Sequence, residues 1–361
     1  MDIKIHKEMK KIVVLTLSLT KGGAESQLVN LCIFLKNNGF DIEIIRVLPQ
    51  NDFHNELEHT GISNHYFNYK SVSGLFNLFR YINRQNPVLL ISFMFGANII
   101  GRILKIIFSI PLITSVRASS ISMMYAILYR ITNRIDSLTI FNSQEALDKF
   151  LQKKLTSKKN SLLINNAIKI TKDKILQIYS KENRLVSIAH FRKEKDYETL
   201  FVAISILKCE NIKVIVDIVG NTFNLKWPKE RVKELHIEEL INFHGYVHSP
   251  EKYIIHADAV VLSSLGEGTP NALLEGMAFK KPIIASRVSG CQALVSQANC
   301  GFLFEKQNPR DLADKIKEYI LLDVTERNIL GQNGFEYLKR NFEEAAIYEK
   351  WLFYINKVID K

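Results

Sequence analysis

Residues 263–278 read Ser-Ser-Leu-Gly-Glu-Gly-Thr-Pro-Asn-Ala-Leu-Leu-Glu-Gly-Met-Ala and begin within the end of a β-rich run at 259–265. Thr269 is expected to be the N-cap and Pro270 the first residue of a helix, because proline is favoured at the first helical position. Such a helix start offers free amides and the positive end of the helix dipole to an anion. The amides in question belong to Asn271, Ala272 and Leu273.

Two carboxylates accompany this predicted anion site. Glu267 lies before the helix and Glu275 inside it, with seven residues between them. Because they need not share a helical face, each can hold a different part of one ligand, such as a sugar and a ribose. Either one alone would more often be a solvated carboxylate near a helix end, but together they favour a binding site.

Outward from this stretch, short β-rich runs alternate with helical patterns along the whole chain. The alternation predicts an α/β fold with parallel sheets covered on both faces, and 361 residues favour two such domains. Pro228, Pro270 and Pro309 each mark the expected start of a helix. The predicted strands are 11–19, 40–48, 87–93, 111–117, 137–143 and 161–166, then 186–191, 214–220, 241–247, 259–265, 282–288 and 301–305.

The charged stretch from Lys169 to Asn183 separates the two series, and we expect a hinge there. Ligands of doubly wound sheets bind beyond the carboxyl ends of the strands. Glycines, cations and the carboxylate pair follow those ends, which predicts a phosphorylated, hydroxylated ligand. The segments are Gly22-Gly23, Arg117, His190 to Lys195, Gly220, Gly245-Tyr246 and Glu267 to Glu275.

The net charge of +11 is concentrated in one half of the chain. Residues 1–180 hold 23 Lys+Arg and 12 Asp+Glu, whereas residues 181–361 hold 25 of each. No acidic residue occurs from His59 to Ile135, while this stretch contains Lys70, Arg80, Arg84, Arg102, Lys105, Arg117, Arg130 and Arg134. This basic stretch can be a solvated face, or it can bind an acidic substrate or an anionic membrane. Binding of nucleic acid is less favoured, because no nucleic-acid-binding motif accompanies the charge.

Predicted helices near 75–84 and 99–108 set apolar residues beside several of these cations. Together they would recruit the protein to anionic membranes, unless the apolar residues face the core and the arginines bind acceptor phosphate. The apolar residues are Leu75, Leu78, Phe79, Ile103, Ile106 and Ile107.

The four cysteines, Cys32, Cys209, Cys291 and Cys300, are scattered without a CxxC pair, which favours a reducing cytosol. The apolar run after Lys10-Lys11 is interpreted as a first strand rather than a signal peptide, and no apolar run approaches bilayer-spanning length. We therefore expect a cytoplasmic protein, with peripheral contact at the inner face of the cell membrane as a further hypothesis.

Glu267, seven residues and Glu275 resemble the E-x7-E motif of the retaining family 4 glycosyltransferases, which have the GT-B fold. Gly22-Gly23-Ala24-Glu25 resembles their glycine-rich loop, Asn166 to Ile168 their N-G-I segment, and Gly245-Tyr246-Val247 and the last helix also match. The resemblance covers about residues 10–355. It implies two facing Rossmann-like domains: an acceptor domain at 1–168, completed by a helix at 343–361 that crosses back, and a nucleotide-sugar domain at 184–342.

The resemblance also implies roles for individual residues. Glu267 would contact the transferred sugar, Glu275 the ribose hydroxyls and Lys195 a phosphate, with Lys195, Arg192, Arg117 and Glu267 forming the catalytic set. The donor would be bound by Gly22, Gly23, His190, Gly220, Tyr246, Glu267, Gly268, Asn271, Ala272, Leu273 and Glu275. There is no D-x-D motif and no His pair at ligand spacing, so neither a catalytic metal nor a cofactor is expected.

Two positions depart from the family pattern. His190 stands where a phosphate-binding arginine is usual, and Arg192 could replace it. Arg117 stands where a histidine is often found, which bears on the acceptor side.

The function implied is retaining transfer of a hexose or N-acetylhexosamine from a nucleotide sugar, with UDP expected, to a saccharide or lipid-linked acceptor in surface polysaccharide or glycoconjugate synthesis. The alternatives are a nucleotide-sugar binding subunit without turnover, and an epimerase or phosphorylase on the same fold.

Overall fold

The computed structural model describes residues 9–118, 121–170, 182–247 and 249–361. The chain divides into two compact units, one of Met1–Ala167 with Ala345–Lys361 and one of Ile168–Glu344. Of the stretch expected to be a hinge, Lys169 to Asn183, residues 171–181 lie outside the described residues.

The first unit is built on a seven-stranded sheet in which all neighbouring strands run parallel, in the order β3-β2-β1-β4-β5-β6-β7. The strands are β1 Lys11–Thr16, β2 Asp41–Arg46, β3 Ser63–Tyr66, β4 Leu89–Phe93, β5 Leu112–Val116, β6 Leu138–Phe141 and β7 Ser161–Leu163. The helices are α1 Gly23–Asn37, α2 His54–Thr60, α3 Val72–Gln85, α4 Phe95–Phe108, α5 Met123–Thr132 and α6 Gln144–Gln152.

Strand β3 is absent from the sequence-based prediction. It lies at the edge of the sheet, pairs only with β2, and reads Ser-Asn-His-Tyr with no buried residue. An edge strand faces solvent and needs no apolar run, so hydrophobic patterning does not detect it. The other six strands of this sheet were predicted, and β4 and β5 are buried along their whole length, as expected for a sheet covered on both faces.

The second unit is built on a six-stranded parallel sheet in the order β10-β9-β8-β11-β12-β13. Its strands are β8 Arg184–Ile188, β9 Ile215–Val219, β10 Ile241–Gly245, β11 Ala259–Leu262, β12 Ile283–Ser286 and β13 Gly301–Phe304. Its helices are α7 Tyr197–Cys209, α8 Trp227–Glu234, α9 Glu251–His256, α10 Asn271–Ala278, α11 Ser289–Ala298, α12 Pro309–Leu321 and α13 Val324–Phe342.

Helices cover both faces of this second sheet. Side chains of α7 and α12, such as Phe201 and Ile316, pack in one core with Val216 of β9. Met277 of α10 packs in a second core with Val260 of β11. The predicted α/β class with Rossmann-like parallel sheets is confirmed in each unit.

The last helix, α14 Glu344–Ile359, belongs almost entirely to the first unit. Its Trp351 is buried and stacks on Phe93 at the end of β4, with ring centroids 6.0 Å apart. A break in the helical backbone at Glu343 separates α14 from α13. The helix therefore completes the core of the first unit, where it contributes Ile347, Tyr348, Trp351, Ile355 and Val358.

Proline positions agree with two of the three predicted helix starts. Pro309 is the first residue of α12 and Pro228 lies in the first turn of α8. In α10 the prediction was wrong by one residue: Pro270 is the N-cap with extended ψ of 112°, Asn271 is the first helical residue, and Thr269 is not the cap. Proline can end the extended segment as readily as it can open the helix, because both conformations allow its φ near −65°.

Candidate active site

Strand order places a topological switch point in the second unit. Successive strands are added to one side of β8 as far as β10, and then β11 is added on its other side. Open α/β sheets bind their ligands beyond the carboxyl ends of the strands at such a point. Here the loops at this point follow β8 and β11, and they carry Lys195 and Glu267.

These two loops are fastened to each other by main-chain and side-chain hydrogen bonds. The amide of Leu265 donates to the carbonyl of Glu194 at 2.8 Å, and Ser263 Oγ donates to the carbonyl of Lys195 at 2.9 Å. These bonds fix the backbone of the loop of Lys195 against that of Glu267.

The side chains of Lys195 and Glu267 form an ion pair, with 2.6 Å between Nζ and Oε1. Ser264 Oγ donates to the same Oε1, also at 2.6 Å. The side chains are only 25% and 12% exposed, so the pair sits in a partly desolvated environment. Charged hydrogen bonds of this length are strong, and they hold the carboxylate of Glu267 in one orientation.

Gly290, at the start of α11, supports the Glu267 loop from the other side. Its amide donates to the carbonyl of Glu267 at 3.2 Å, and a Cβ at this position would lie 2.2 Å from the carbonyl oxygen of Gly268. Only glycine allows this approach. Sequence reasoning missed Gly290, because nothing around it in the sequence indicates which backbone it touches.

Helix α10 begins directly after this loop. The prediction that three of its amides are free was wrong for Leu273, whose N–H donates to the carbonyl of Pro270 at 3.1 Å. The turn closes early because Pro270 acts as the cap. Asn271 and Ala272 lie at the positive end of the helix, where an anion is still favoured.

Glu275 lies one turn into α10 and is half-buried. Burial, with a smaller contribution from the charge of Glu251, raises the pKa of its carboxyl to about 7. A hydrogen bond donated by a ligand hydroxyl stabilises the charged form of such a carboxyl and lowers its pKa.

The loops after β8, β9 and β10 bring three more predicted residues together. A Cβ on Gly220 would lie 1.9 Å from the carbonyl oxygen of Ala189, and the Gly220 amide donates to the carbonyl of Gly245 at 2.8 Å. His190 Nδ1 accepts from the amide of Asn221 at 2.9 Å, which assigns the ring proton of neutral His190 to Nε2. The rings of His190 and Tyr246 are 6.1 Å apart.

Arg192 does not join the Lys195–Glu267 pair. Its side chain is exposed and lies 6.0 Å from the ring of Phe223. Its replacement of a phosphate-binding arginine at position 190 stays a prediction.

In the first unit, the loop after β1 carries Gly22 and Gly23. The backbone of Gly22 is extended, and a Cβ there would lie 2.7 Å from Oε2 of Glu25. Glu25 is itself buried, and its Oε1 accepts from Thr20 Oγ1 at 3.4 Å. Gly22 therefore makes room for a neighbouring carboxylate, and Gly23 is the first residue of α1.

Arg117 follows β5 and is held by neutral groups. Its Nε donates to Ser115 Oγ and its Nη1 to Asn166 Oδ1, both at 2.8 Å. Its guanidinium carbon lies 4.9 Å from the ring of Phe93 and 5.9 Å from that of Trp351. Burial lowers the pKa of Arg117 to about 10, so the group is still charged at neutral pH.

The predicted residues thus form separate clusters. Lys195 and Glu267, with Gly268 beside them, lie at the start of α10, and His190, Gly220 and Tyr246 lie along the neighbouring loops. Arg117 with Asn166, and Gly22 with Gly23, belong to the first unit. Within the described ranges, no group of three or more His, Cys, Asp and Glu is arranged to hold a metal ion.

The sequence of the second unit matches the family model described as Glycosyl transferases group 1, over residues 168–337. A relative from Campylobacter jejuni is 27% identical over 97% of this chain and 99% of its own length. It is named GalNAc-alpha-(1->4)-GalNAc-alpha-(1->3)-diNAcBac-PP-undecaprenol alpha-1,4-N-acetyl-D-galactosaminyltransferase.

Solved structures are similar over nearly the whole chain. HepE from Anabaena, in complex with UDP, superposes with a TM-score of 0.83 at 19% identity, covering 96% of this chain and 100% of HepE. A glycosyltransferase from Rickettsia africae also gives 0.83, at 17% identity, covering 98% of this chain and 99% of its own. At these identities the likeness shows the fold alone, and it confirms the predicted GT-B class.

Proposed function

We propose that this chain, a glycosyltransferase of the GT-B fold, transfers a sugar from a UDP-sugar with retention of the anomeric configuration. Its second unit belongs to Glycosyl transferases group 1. The sugar would be a hexose or N-acetylhexosamine, and the acceptor a saccharide or lipid-linked saccharide of surface polysaccharide or glycoconjugate synthesis. The observation that carries this proposal is the ordered Lys195–Glu267 pair, which joins the loop after β8 to the loop that leads into α10, the helix that carries the half-buried Glu275.

The relatives support the choice of donor and acceptor. HepE was solved with UDP, and the Campylobacter jejuni relative is named for transfer of an N-acetylgalactosaminyl group to an undecaprenol-linked saccharide. A UDP donor and a lipid-linked acceptor are both compatible with this chain, which carries cations and amides at a helix start that can bind a diphosphate.

In the proposed reaction, the bond between the anomeric carbon and the diphosphate oxygen breaks, and the acceptor hydroxyl forms the new bond from the same face. The acceptor proton leaves with the departing UDP. Negative charge develops on the diphosphate as the bond breaks, and Lys195 with the amides at the start of α10 stabilises it. Glu267 would orient the sugar hydroxyls, since its carboxylate is already held by Lys195 and Ser264.

Glu275 would accept hydrogen bonds from the ribose hydroxyls of the nucleotide. Loss of a buried charged hydrogen bond costs about 1.5–3 kcal/mol, which corresponds to about 10- to 100-fold in affinity. Glu275→Ala should therefore weaken UDP binding, whereas Glu267→Ala should lower turnover more than affinity. If both variants kept wild-type kinetics with every active donor, the proposed pairing of roles would be wrong.

We further propose that transfer needs no divalent metal, because Lys195 and the amides at the start of α10 supply the positive potential. Activity should survive an excess of chelator. Complete loss that is restored by manganese or magnesium would contradict this part of the proposal.

The experiment that tests the function incubates the protein with radiolabelled UDP-hexoses and UDP-N-acetylhexosamines, together with a lipid-linked saccharide fraction. We expect one donor class to be turned over and the anomeric configuration to be retained in the product. Glu194→Gln serves as the control, since this carboxylate is exposed and lies in the same loop as Lys195. Saturable UDP binding without turnover of any donor would indicate a binding subunit instead.

A further inference from the structure

Helix α5 presents an apolar face to solvent. Met123, Met124, Ile127 and Ile131 are between 55% and 82% exposed, and their spacing places them along one side of the helix. Burying such side chains is favourable, and contiguous exposed apolar surface marks an interaction site more often than not.

Helix α4 packs against α5 and also carries exposed apolar side chains. Arg102 of α4 donates to Thr132 of α5 at 2.8 Å, which joins the two helices. Ile103, Ile106 and Ile107 of α4 are exposed, as the membrane hypothesis from the sequence requires. Leu78, which was also expected at that surface, is fully buried in the core, because it lies on the inner face of the amphipathic α3.

Arg102 is also removed from the set of cations available to a membrane. It is buried and forms a two-bond ion pair with Asp136, at 2.8 and 2.6 Å. Asp136 is the first acidic residue after the acid-free stretch, which ends at Ile135. The sequence alone does not show that Asp136 pairs with Arg102, a cation inside that stretch.

A group of cations lies at the carboxyl end of α5, around a basin of about 660 Å³. It is lined by Arg130, Ile131, Asn133, Arg134, Gln152, Lys153 and Lys154. The lining therefore holds four cations and no acid. Arg130 donates to the carbonyl of Lys153 at 3.2 Å and Asn133 to that of Lys154 at 2.9 Å, so Arg130 of α5 and the residue that caps the helix are bonded to the opposite wall.

We propose that the α5 face and this basin form one docking surface for an anionic phospholipid bilayer. The basin takes lipid phosphate groups, and the methionines and isoleucines of α5 enter the boundary between head groups and acyl chains. Ile131 lines the basin and also belongs to the exposed face, so charge and apolar surface meet at one residue. A soluble phosphate would use the basin alone.

A bilayer contact at this surface is peripheral. Across the part of the chain that the structure describes, no helix combines the length and the apolar character needed to cross a membrane. The surface lies on α4, α5 and the residues after α6, and it includes none of the residues proposed to bind the donor. The inference therefore stands apart from the proposed transfer reaction.

The test is sedimentation with vesicles of phosphatidylcholine alone, or of phosphatidylcholine with phosphatidylglycerol. Wild-type protein should bind only the anionic vesicles and should be released by raising salt, because surface charge is screened over about 8 Å at physiological ionic strength and over less above it. Each cation near an anionic surface is worth about fivefold in partitioning, so R134Q/K153Q/K154Q should weaken binding by about 100-fold.

The matched control is K226Q/K229Q/K233Q, which removes three exposed cations of the second unit and gives the same net charge. This control should bind anionic vesicles like the wild type. Equal losses in both triple variants would show that net charge alone acts, and would overturn the assignment to the basin. Equal binding of the wild type to neutral and anionic vesicles, or to neither, would overturn the docking surface itself.

The apolar half is tested with I127S/I131S, against V324S/I329S as the control, which changes two apolar residues on α13 that are each more than half exposed. Only I127S/I131S should weaken binding to anionic vesicles, by about 10-fold or more. No change would contradict insertion. Single-stranded DNA is the comparison ligand. If it bound as strongly as anionic vesicles, and if I127S/I131S left that affinity unchanged, the surface would be a general polyanion site instead. UDP-induced thermal stabilisation should be unchanged in all these variants, which verifies that they are folded.

Discussion

Lys195 in the second unit and Arg117 in the first are both shielded cations near the carboxyl end of a parallel strand, but their partners differ. Lys195 contacts the carboxylate of Glu267 at 2.6 Å, whereas Arg117 donates to the neutral oxygens of Ser115 and Asn166. The first cation is neutralised in place. The second keeps its full charge among neutral partners, with a pKa that burial lowers to about 10.

The comparison teaches that partners, more than burial, determine what a charge at such a site can do. A cation that is paired with a carboxylate holds that carboxylate in one orientation. Its positive charge acts on a ligand only when the ligand competes with the carboxylate for it. A cation held by neutral oxygens presents its potential continuously. Glu275 extends the contrast to an anion, since burial and the charge of Glu251 shift its pKa towards neutrality.

The largest effect is expected for Lys195→Ala. It removes the cation proposed to stabilise the departing diphosphate and leaves the carboxylate of Glu267 in a shielded position without its ammonium partner. Turnover should fall by about 100- to 1000-fold, as for other preorganised charge-stabilising groups. Steady-state kinetics check this, with Lys193→Ala as the control, because Lys193 is exposed in the same short turn. A similar loss of turnover in both variants would show that the Lys195–Glu267 ion pair has no specific role in the reaction.

Glu275→Gln should separate stability from binding. The pKa of this carboxyl rises from an ordinary 4.5 to about 7 on folding, so ionisation opposes folding above pH 4.5, and the penalty grows until the pH passes 7. The variant should therefore be more stable than the wild type by up to about 3 kcal/mol at pH 8, with most of the gain lost at pH 5. It should also lose UDP-induced stabilisation.

Melting curves at the two pH values, with and without UDP, measure both effects. Glu230→Gln, an exposed carboxylate of α8, is the control and should show neither. A Glu275→Gln variant that is less stable than the wild type at pH 8 would mean that this carboxylate has a stabilising partner.

Arg117→Gln should lower kcat/KM by about 30-fold, the value of one charged hydrogen bond of about 2 kcal/mol to an anionic substrate group. Arg117→Lys should recover part of this, because it restores the charge without the planar fork. UDP affinity should be unchanged in both variants. If Arg117→Gln lost as much UDP affinity as kcat/KM, Arg117 would act on the donor, and the distinction between Arg117 and Lys195 would be wrong.

The smallest effect is expected for Arg192→Gln. Its side chain is exposed and contacts the Phe223 ring at 6.0 Å, and solvent screens such a charge. Donor kcat/KM should fall less than about fivefold. A loss as large as that of Lys195→Ala would show instead that Arg192 replaces the arginine usual at position 190.

The predictions from the sequence succeeded where a residue's environment is local. Buried strands such as β4 and β5 are continuous apolar runs, so their positions could be predicted. The glycines, prolines and carboxylates around α10 carry local conformational preferences, and they located the loop of Glu267 within one residue of the helix start.

The predictions failed where a partner is distant in the chain. The pairing of Arg102 with Asp136 and the close approach of Gly290 to the backbone of Glu267 and Gly268 both depend on tertiary packing. The edge strand β3 failed for a different reason, since its polar residues need no core. Hydrophobic period and residue type contain no information about these contacts.

The most direct test of the proposed reaction measures UDP release and sugar transfer at saturating UDP-sugar for the wild type and Glu267→Gln. Glutamine preserves the size of the side chain and removes the charge that Lys195 neutralises. We expect turnover by the wild type, at least about 100-fold slower turnover by the variant, and donor affinity within about threefold of the wild type. Equal turnover by both proteins, or donor binding without transfer by the wild type, would contradict the proposed reaction.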